Sequence, residues 1–238
     1  MNTILTIAKK ELKSFFNSPI AYIFLCVFLI SSSFLFFWDF FLRNQASMRG
    51  FFAWLPILFL FIIPAISMKM WSEEKKMGTI ELLMTMPVKD SHVVLGKFLA
   101  CFTFLAIAVF LTFPIVLTVN YLGAPDYGPI IGGYIGTLLM GAAYLAIGLF
   151  LSSITKNQII AFIVSLAICF TLFIIGQPWI THLVPRTIAP LFNYIGIGTH
   201  FENIGRGVVD SRDIIYYFSI IIGFLYLNKL SVENRHWN

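Results

Sequence analysis

Long uncharged stretches alternate with short charged segments along this chain. Residues 98–125, 127–155 and 157–185 contain no Asp, Glu, Lys or Arg. An apolar helix of about 20 residues crosses a bilayer core, so each stretch is long enough to hold one span. The pattern predicts an all-α, polytopic membrane protein with six transmembrane helices, at residues 20–42, 51–69, 98–122, 130–153, 158–181 and 213–229.

The sixth span is the weakest of this set. Only 15 uncharged positions, residues 214–228, lie between Asp213 and Lys229. The segment crosses the bilayer if these two side chains extend to the two interfaces.

Another uncharged stretch, residues 187–201, precedes the sixth span. It is interrupted by Pro190, Gly196 and Gly198, which favours a re-entrant or interfacial element over a crossing. We therefore predict an outer re-entrant segment at about 187–210.

An amphipathic interfacial helix is predicted over residues 1–18, before the first span. Apolar residues recur there at helical spacing, with Lys9, Lys10 and Lys13 mostly between them. Such a helix lies at the membrane surface with its lysines against anionic headgroups, unless the lysines act only as a topology signal. A cleaved signal peptide is disfavoured, because the apolar residues 34–38 lengthen the first hydrophobic segment to a full span.

Composition and charge agree with this interpretation. The 238 residues are 59% hydrophobic and 11% charged, whereas soluble domains carry about 25% charged residues. If the N-terminus is cytoplasmic, 11 of the 16 Lys and Arg fall on the cytoplasmic side. The positive-inside rule then places both termini in the cytoplasm. The net charge of +5 reflects this topology rather than nucleic-acid binding, since no basic stripe with interleaved aromatic residues occurs.

Small residues are concentrated in the fourth predicted span and allow close helix packing. They serve packing within one subunit or, alternatively, form a dimer or pathway face. Pro56, Pro64 and Pro114 are expected to kink their spans. The small residues are Gly132, Gly133, Gly136, Gly141, Ala142, Ala143 and Gly148.

The sequence lacks the common catalytic motifs. No Gly-x-x-x-x-Gly-Lys-Ser/Thr loop, His-Glu-x-x-His or Gly-x-Ser-x-Gly occurs, so we expect no ATPase site and no catalytic residue in this chain. The three cysteines and four histidines lack metal-ligand spacing, and no metal site is expected. Asp39 lies near a span end, whereas ion-coupled transporters place ionisable residues at mid-membrane.

The longest predicted cytoplasmic segment, residues 70–97, is too short for a catalytic domain. Residues 71–77 extend the second span as a charged helix, Gly78 permits a sharp turn, and Thr79 can cap a further short helix. The apolar side chains of that helix need a partner, either lipid headgroups or a protein groove, and the residues alone leave both open. The short helix carries Ile80, Glu81, Leu82, Leu83 and Met84 and ends at Pro87.

Residues 73–88 resemble the signature of type-2 ABC transporter permeases (the ABC-2 exporter family), in which an acidic-basic cluster precedes Gly-Thr, Glu-Leu-Leu and a closing Pro. Residues 9–13 and 200–210 also resemble family patterns, more weakly. Within the family, the chain is most similar to the short permeases of the gliding-motility-associated and copper-processing (nitrous oxide reductase maturation) systems.

The resemblance implies roles for particular residues. The segment after Gly78 would be the coupling helix, which docks into a groove on a nucleotide-binding subunit, and Glu73 and Glu74 would orient it through polar contacts with that subunit or with the interfacial helix. Arg206 would be a turn anchor, or alternatively an exposed loop arginine. The implied coupling residues are Glu73, Glu74, Gly78, Thr79, Ile80, Glu81, Leu82, Leu83, Met84 and Pro87. The implied interfacial-helix residues are Lys9, Lys10, Glu11 and Lys13, and those of the outer element are Phe201, Glu202, Gly205, Arg206 and Gly207.

The resemblance also implies the assembly. An ABC ATPase subunit would hold ATP and Mg, beside a second permease copy or a paralogue, an accessory subunit and membrane lipid, in a bacterial inner membrane. Residues 1–18 would form the interfacial helix and 19–238 the permease domain. The expected function is that of an ATP-driven exporter. A membrane anchor or scaffold without transport is the alternative, followed by an intramembrane enzyme or a secondary transporter.

Overall fold

The computed structural model describes residues 3–43, 45–79, 88–183, 185, 187–208 and 210–233, and their regular secondary structure is helical. Five helices are long and apolar enough to cross a membrane, and a sixth apolar helix, Gln158–Ile174, has 17 residues. The chain is therefore an all-α, polytopic membrane protein, as predicted. The described helices are α1 (Thr3–Asn17), α2 (Pro19–Arg43), α3 (Arg49–Ser67), α4 (Lys69–Met77), α5 (Asp90–Phe110), α6 (Phe113–Leu122), α7 (Tyr127–Ile154), α8 (Gln158–Ile174), α9 (Pro178–Thr181), α10 (Ala189–Ile195), α11 (Ile197–Gly205) and α12 (Ser211–Glu233).

Helix α7 is the central helix, and its small residues pack against the rest of the chain. A Cβ atom on Gly133 would lie 2.4 Å from the ring of Phe52 in α3, and one on Gly141 would lie 2.4 Å from Leu105 in α5. Such short distances mean that the neighbouring helices use the space a larger side chain would occupy. Packing within one subunit, one of the two alternatives for these residues, is confirmed.

The helix at the N-terminus packs along the beginning of α5. A Cβ atom on Gly96 would lie 2.6 Å from Ile7 Cγ2, and the rings of Phe15 and Phe104 stack with their centroids 5.4 Å apart. The predicted helix over 1–18 is thus confirmed as α1, with a protein surface on its inner side.

The predicted third span and the loop before it have different bounds in the structure. Helix α5 begins at Asp90, so the last part of the predicted loop 70–97 is helical, and α4 takes up its first part. The helix is interrupted between α5 and α6, just before Pro114, because proline lacks the N–H that would continue the helical ladder. The break that Pro114 was expected to cause is confirmed.

The fifth predicted span, 158–181, is too long, since α8 ends at Ile174. The chain turns at Gly176, where a Cβ atom would lie 2.9 Å from the backbone of Gly196. Thr199 donates a hydrogen bond of 3.0 Å to the carbonyl oxygen of Gly176. This close approach ends the crossing helix.

The sixth span is longer than predicted, because α12 has 23 residues. The expectation that Asp213 extends to an interface is wrong: Asp213 is 3% exposed and contacts His200. Lys229 pairs with Glu233 one helical turn away, at 3.2 Å. Internal partners therefore let charged residues lie within this helix.

The molecule has two ends, joined by the 28 residues of α7, about 42 Å at 1.5 Å per residue. The α4 end carries α1, α4, the beginning of α5 and the last turns of α7. The α11 end carries α10, α11 and the first turns of α7, where a Cβ atom on Gly136 would lie 3.2 Å from Ile204.

Candidate functional site

A buried lysine lies at the centre of the α4 end. The side chain of Lys97 is 1% exposed, and its Nζ lies 2.6 Å from Glu74 Oε1 and 3.3 Å from Glu11 Oε1. It also donates a hydrogen bond of 3.0 Å to the carbonyl oxygen of Met70. An ammonium group has three N–H donors, and these three acceptors match them.

The Trp71 indole completes this site. Lys97 Nζ lies over its ring, 5.0 Å from the centroid, at a distance where the ring face attracts a cation. Trp71 itself is fully buried. We call Lys97, Glu11, Glu74 and Trp71 the Lys97 cluster.

The Lys97 cluster joins three helices that are far apart in sequence. Glu11 belongs to α1, Glu74 to α4 and Lys97 to α5. A buried ammonium group is strongly disfavoured without charged and hydrogen-bonding partners. Separating the three helices would remove the partners of Lys97, so the ion pairs stabilise their packing. A displacement of α4 therefore acts on α1 and α5 as well.

A serine hydroxyl fixes the junction between α3 and α4. Ser152 Oγ, on α7, accepts hydrogen bonds of 3.2 Å from the backbone N–H groups of both Trp71 and Ser72. It donates a bond of 2.6 Å to the carbonyl oxygen of Met68. The first N–H groups of a helix have no partner within it, and Ser152 supplies one. Helix α4 is thus attached to α7 as well.

A polar cavity of about 450 Å³ lies between α1 and α4. Three lysines and three glutamates line it, so its formal charges balance. It brings residues predicted for the interfacial helix together with residues predicted for ATPase coupling. The charged lining residues are Lys10, Glu11, Lys69, Glu73, Glu74 and Lys97.

The predicted coupling residues fall into two groups. Glu73 is exposed, Glu74 is half-buried, and Gly78 ends α4 with a positive φ of 71°, which confirms the predicted turn, since glycine adopts this conformation readily. The Thr79 hydroxyl donates a hydrogen bond of 3.4 Å back to the carbonyl oxygen of Glu74. The others, Ile80, Glu81, Leu82, Leu83, Met84 and Pro87, lie outside the described residues.

The residues predicted for the interfacial helix also fall into two groups, one exposed and one facing the protein interior. Lys9, Lys10 and Lys13 are exposed on α1, whereas Glu11 turns inward to Lys97. Sequence reasoning missed Lys97, which it counted only as a topology-setting charge. The sequence feature that could have indicated a buried Lys97 is Gly96 beside it. A glycine next to a single charged residue in an apolar helix allows another helix to pack close to that charge.

The residues predicted for the outer element lie at the α11 end. Phe201 is buried against Gly136, while Glu202 and Arg206 are exposed. The turn after α11 is made by Gly207, whose φ is 90°. Arg206 lies exposed beside this turn, and its side chain has no hydrogen-bond or ion-pair partner among the described residues. Gly205 has open space around its Cβ position.

A histidine–aspartate pair, also missed from the sequence, attaches α11 to α12. His200 Nδ1 lies 2.5 Å from Asp213 Oδ1, and Nε2 lies 3.0 Å from the carbonyl oxygen of Tyr194. Both ring nitrogens face oxygen acceptors, so each contact needs a proton. The His200 ring stacks on Tyr216 with centroids 3.9 Å apart. Helices α10 and α11 are thus attached to α12.

The fold and the two ends together define a membrane-embedded helical protein whose described part carries no group of three His, Cys, Asp or Glu side chains placed to hold a metal ion. The family model for the ABC-2 family transporter protein matches residues 5–212. The chain belongs to this family and is a membrane component of an ABC transporter, which implies an ABC ATPase subunit as its partner. A comparison with curated proteins finds no match.

Proposed function

We propose that this permease serves an ATP-driven exporter and that α4 carries the motion of the ATPase partner into the spans. The observation behind the proposal is the Lys97 cluster, which joins α4 to α1 and α5. The predicted coupling helix, near residues 78–86, directly follows α4 in sequence. A force applied to the predicted coupling helix would therefore act on α4, which contacts α1, α5 and α7.

The transmission follows from how α4 is held. The nine-residue helix is attached to α7 through Ser152, to α5 through Lys97 and to α1 through Lys97 and Glu11. A short helix held at both flanks moves as a rigid unit, because its backbone hydrogen bonds resist bending. Closure of the ATPase subunits would displace the predicted coupling helix, and α4 would pass the displacement to α3, α5 and α7.

The proposal places the α4 end and both termini in the cytoplasm of a bacterial inner membrane. The exposed lysines of α1, Lys9, Lys10 and Lys13, support this orientation through the positive-inside rule. They are available to anionic headgroups or to the acidic surface of a partner. ATP and Mg would be held by the ATPase subunit.

The proposal also includes a second permease copy or a paralogue, because six spans are about half of a twelve-span transporter core. An accessory subunit and membership of the gliding-motility-associated or nitrous-oxide-reductase-maturation group belong to it through the sequence resemblance alone. These parts are independent of the role of α4.

Charge reversal at the two adjacent glutamates tests the coupling role. Glu73→Lys is expected to leave the spans folded, because Glu73 is exposed, and to lower permease-dependent stimulation of the ATPase about tenfold by placing a cation in the cavity between α1 and α4. Glu74→Lys is expected to reduce both stimulation and thermal stability, because it replaces the carboxylate that lies 2.6 Å from Lys97 Nζ with a second cation. Stimulated ATP hydrolysis in proteoliposomes and a thermal melt measure the two effects.

Asp126→Lys is the matched control, since it reverses an exposed carboxylate at the opposite end of the bundle and lines neither cavity described here. It is expected to leave ATPase stimulation unchanged. Normal stimulation and normal transport in Glu73→Lys and Glu74→Lys would contradict the coupling role. An ATPase that binds these variants and the original chain equally, and hydrolyses at a rate indifferent to the permease, would favour a scaffold instead.

A further inference from the structure

A cavity of about 850 Å³ lies at the α11 end between α3, α8 and α11. Each of these helices lines it with one face. On α3 the lining residues include Phe52, Pro56 and Phe61, and α8 contributes Phe170 and Phe173. The walls are mainly apolar and aromatic, and they are not filled by another part of the described chain.

Two arginines lie at one end of this cavity. Arg49 is the first residue of α3, and Arg206 directly follows the last residue of α11. Within the described ranges neither guanidinium group has an ion-pair or hydrogen-bond partner. Glu202 also lines the cavity, so its formal charge is +1. The helices thus bring two arginine side chains, from distant parts of the sequence, to one apolar cavity.

The charges and the apolar wall are separated along the axis of α3. The cavity-lining face of α3 runs from Arg49 to Phe61, which is about 18 Å of helix at 1.5 Å per residue. Half of a bilayer core is about 15 Å. An acyl chain in one leaflet could therefore lie along this face while its headgroup reaches Arg49.

We propose that this cavity binds an amphiphile with an acyl chain and an anionic headgroup, which Arg49 and Arg206 hold. Guanidinium groups bind phosphate and carboxylate oxygens with two parallel hydrogen bonds, and the aromatic walls bury the chain. A second copy of the protein is a poorer occupant. A two-fold contact through this face would bring Arg49 and Arg206 of one copy towards the same arginines of the other copy, and these like charges would need an anion between them. That the amphiphile is also the cargo rests on the proposed exporter function, whereas its binding does not.

Trp179 provides a direct reporter, because it lines the same cavity and is 56% exposed. The full-length permease in phosphatidylcholine nanodiscs is titrated with lysophosphatidic acid carrying a dibrominated acyl chain, and in parallel with the monoacylglycerol of the same chain. Bromine quenches nearby tryptophan fluorescence, and subtracting the same titration of Trp179→Phe isolates the signal of Trp179. We expect saturable quenching by the phosphate compound at a concentration at least tenfold lower than for the neutral compound.

Arg49→Gln and Arg206→Gln should each weaken binding of the phosphate compound about tenfold, the scale of one charge-assisted hydrogen bond, and leave binding of the neutral compound unchanged. Arg212→Gln is the matched control, because Arg212 is an exposed arginine near the same end and does not line the cavity. It should have no effect. A brominated fatty acid of equal chain length shows whether carboxylate replaces phosphate.

Equal binding of the charged and neutral compounds, or binding that is insensitive to both arginine substitutions, would overturn the proposal. Quenching of Trp179 by neither compound, as expected if a second copy fills the cavity, would overturn it too. The titration contains no ATPase, so its failure leaves the role of α4 untouched, and normal stimulation in Glu73→Lys leaves this binding result untouched.

Discussion

Replacing Lys97 by Gln is expected to cause the largest loss of stability of any single substitution at the α4 end. The change leaves the carboxylates of Glu11 and Glu74 facing each other without the ammonium group between them. Removing one partner of a buried ion pair costs about 3–5 kcal/mol, which corresponds to a fall in melting temperature on the order of 10 °C for a chain of this size. A thermal melt of the purified permease measures it, and permease-stimulated ATP hydrolysis should fall in parallel.

Lys229→Gln is the control for Lys97→Gln. Lys229 also pairs with a glutamate, at 3.2 Å, but both side chains are more than a third exposed, and surface ion pairs contribute about 0–1 kcal/mol. The melting temperature of Lys229→Gln should therefore change by about 4 °C or less. In the double variant Lys97→Gln with Glu74→Gln, part of the lost stability should return, because only one buried carboxylate then lacks a partner. Equal melting temperatures for Lys97→Gln and Lys229→Gln would show that the Lys97 cluster does not hold α4.

The substitution Gly132→Ala is expected to displace α11 from the central helix. The added Cβ atom would lie 2.4 Å from the carbonyl oxygen of Ile204. Because that atom is backbone, no side-chain rotation can relieve the contact, and the two helices must separate. Overpacking of this kind costs about 1–3 kcal/mol. We expect a lower melting temperature and weaker quenching of Trp179 by the brominated amphiphile, since α11 forms one wall of that cavity.

Gly223→Ala is the matched control for Gly132→Ala. Gly223 lies within α12, and a Cβ atom there meets nothing within 4 Å. Alanine favours a helix over glycine by about 1 kcal/mol, so this variant should be unchanged or slightly more stable. A Gly132→Ala protein that melts at the same temperature as Gly223→Ala would contradict the tight packing of α11 on α7.

The order and approximate positions of the long apolar helices could be predicted because bilayer burial excludes charge over long stretches, a property of the local sequence. The ends of the helices were harder to predict, because they depend on contacts with residues that are distant in the sequence. The end of α8 is set by Gly196, which approaches Gly176 from another segment. The sixth span was predicted to be too short because Asp213 was taken as its boundary. The contact with His200 allows the Asp213 carboxyl group to be buried within the helix.

The candidate site could be predicted only in part for the same reason. Gly78 was identifiable because the conformation of a turn is a local property. The partners of Lys97 were not, since Glu74 and Glu11 lie 23 and 86 residues away from it in sequence. Positive-inside counting assigns a lysine to a side of the membrane but contains no information on which carboxylates surround it.

Site-specific photo-cross-linking at residue 84 tests most directly whether the segment after α4 contacts the ATPase. Met84 is replaced by p-benzoylphenylalanine in membranes that contain the whole transporter. Tyr121, which is 91% exposed and belongs to α6 near the α11 end, is replaced in a second sample as the control. We expect an adduct between position 84 and the ATPase subunit, altered by ATP, and none from position 121. Adducts from position 84 with lipid alone, while the ATPase remains bound to the complex, would contradict it.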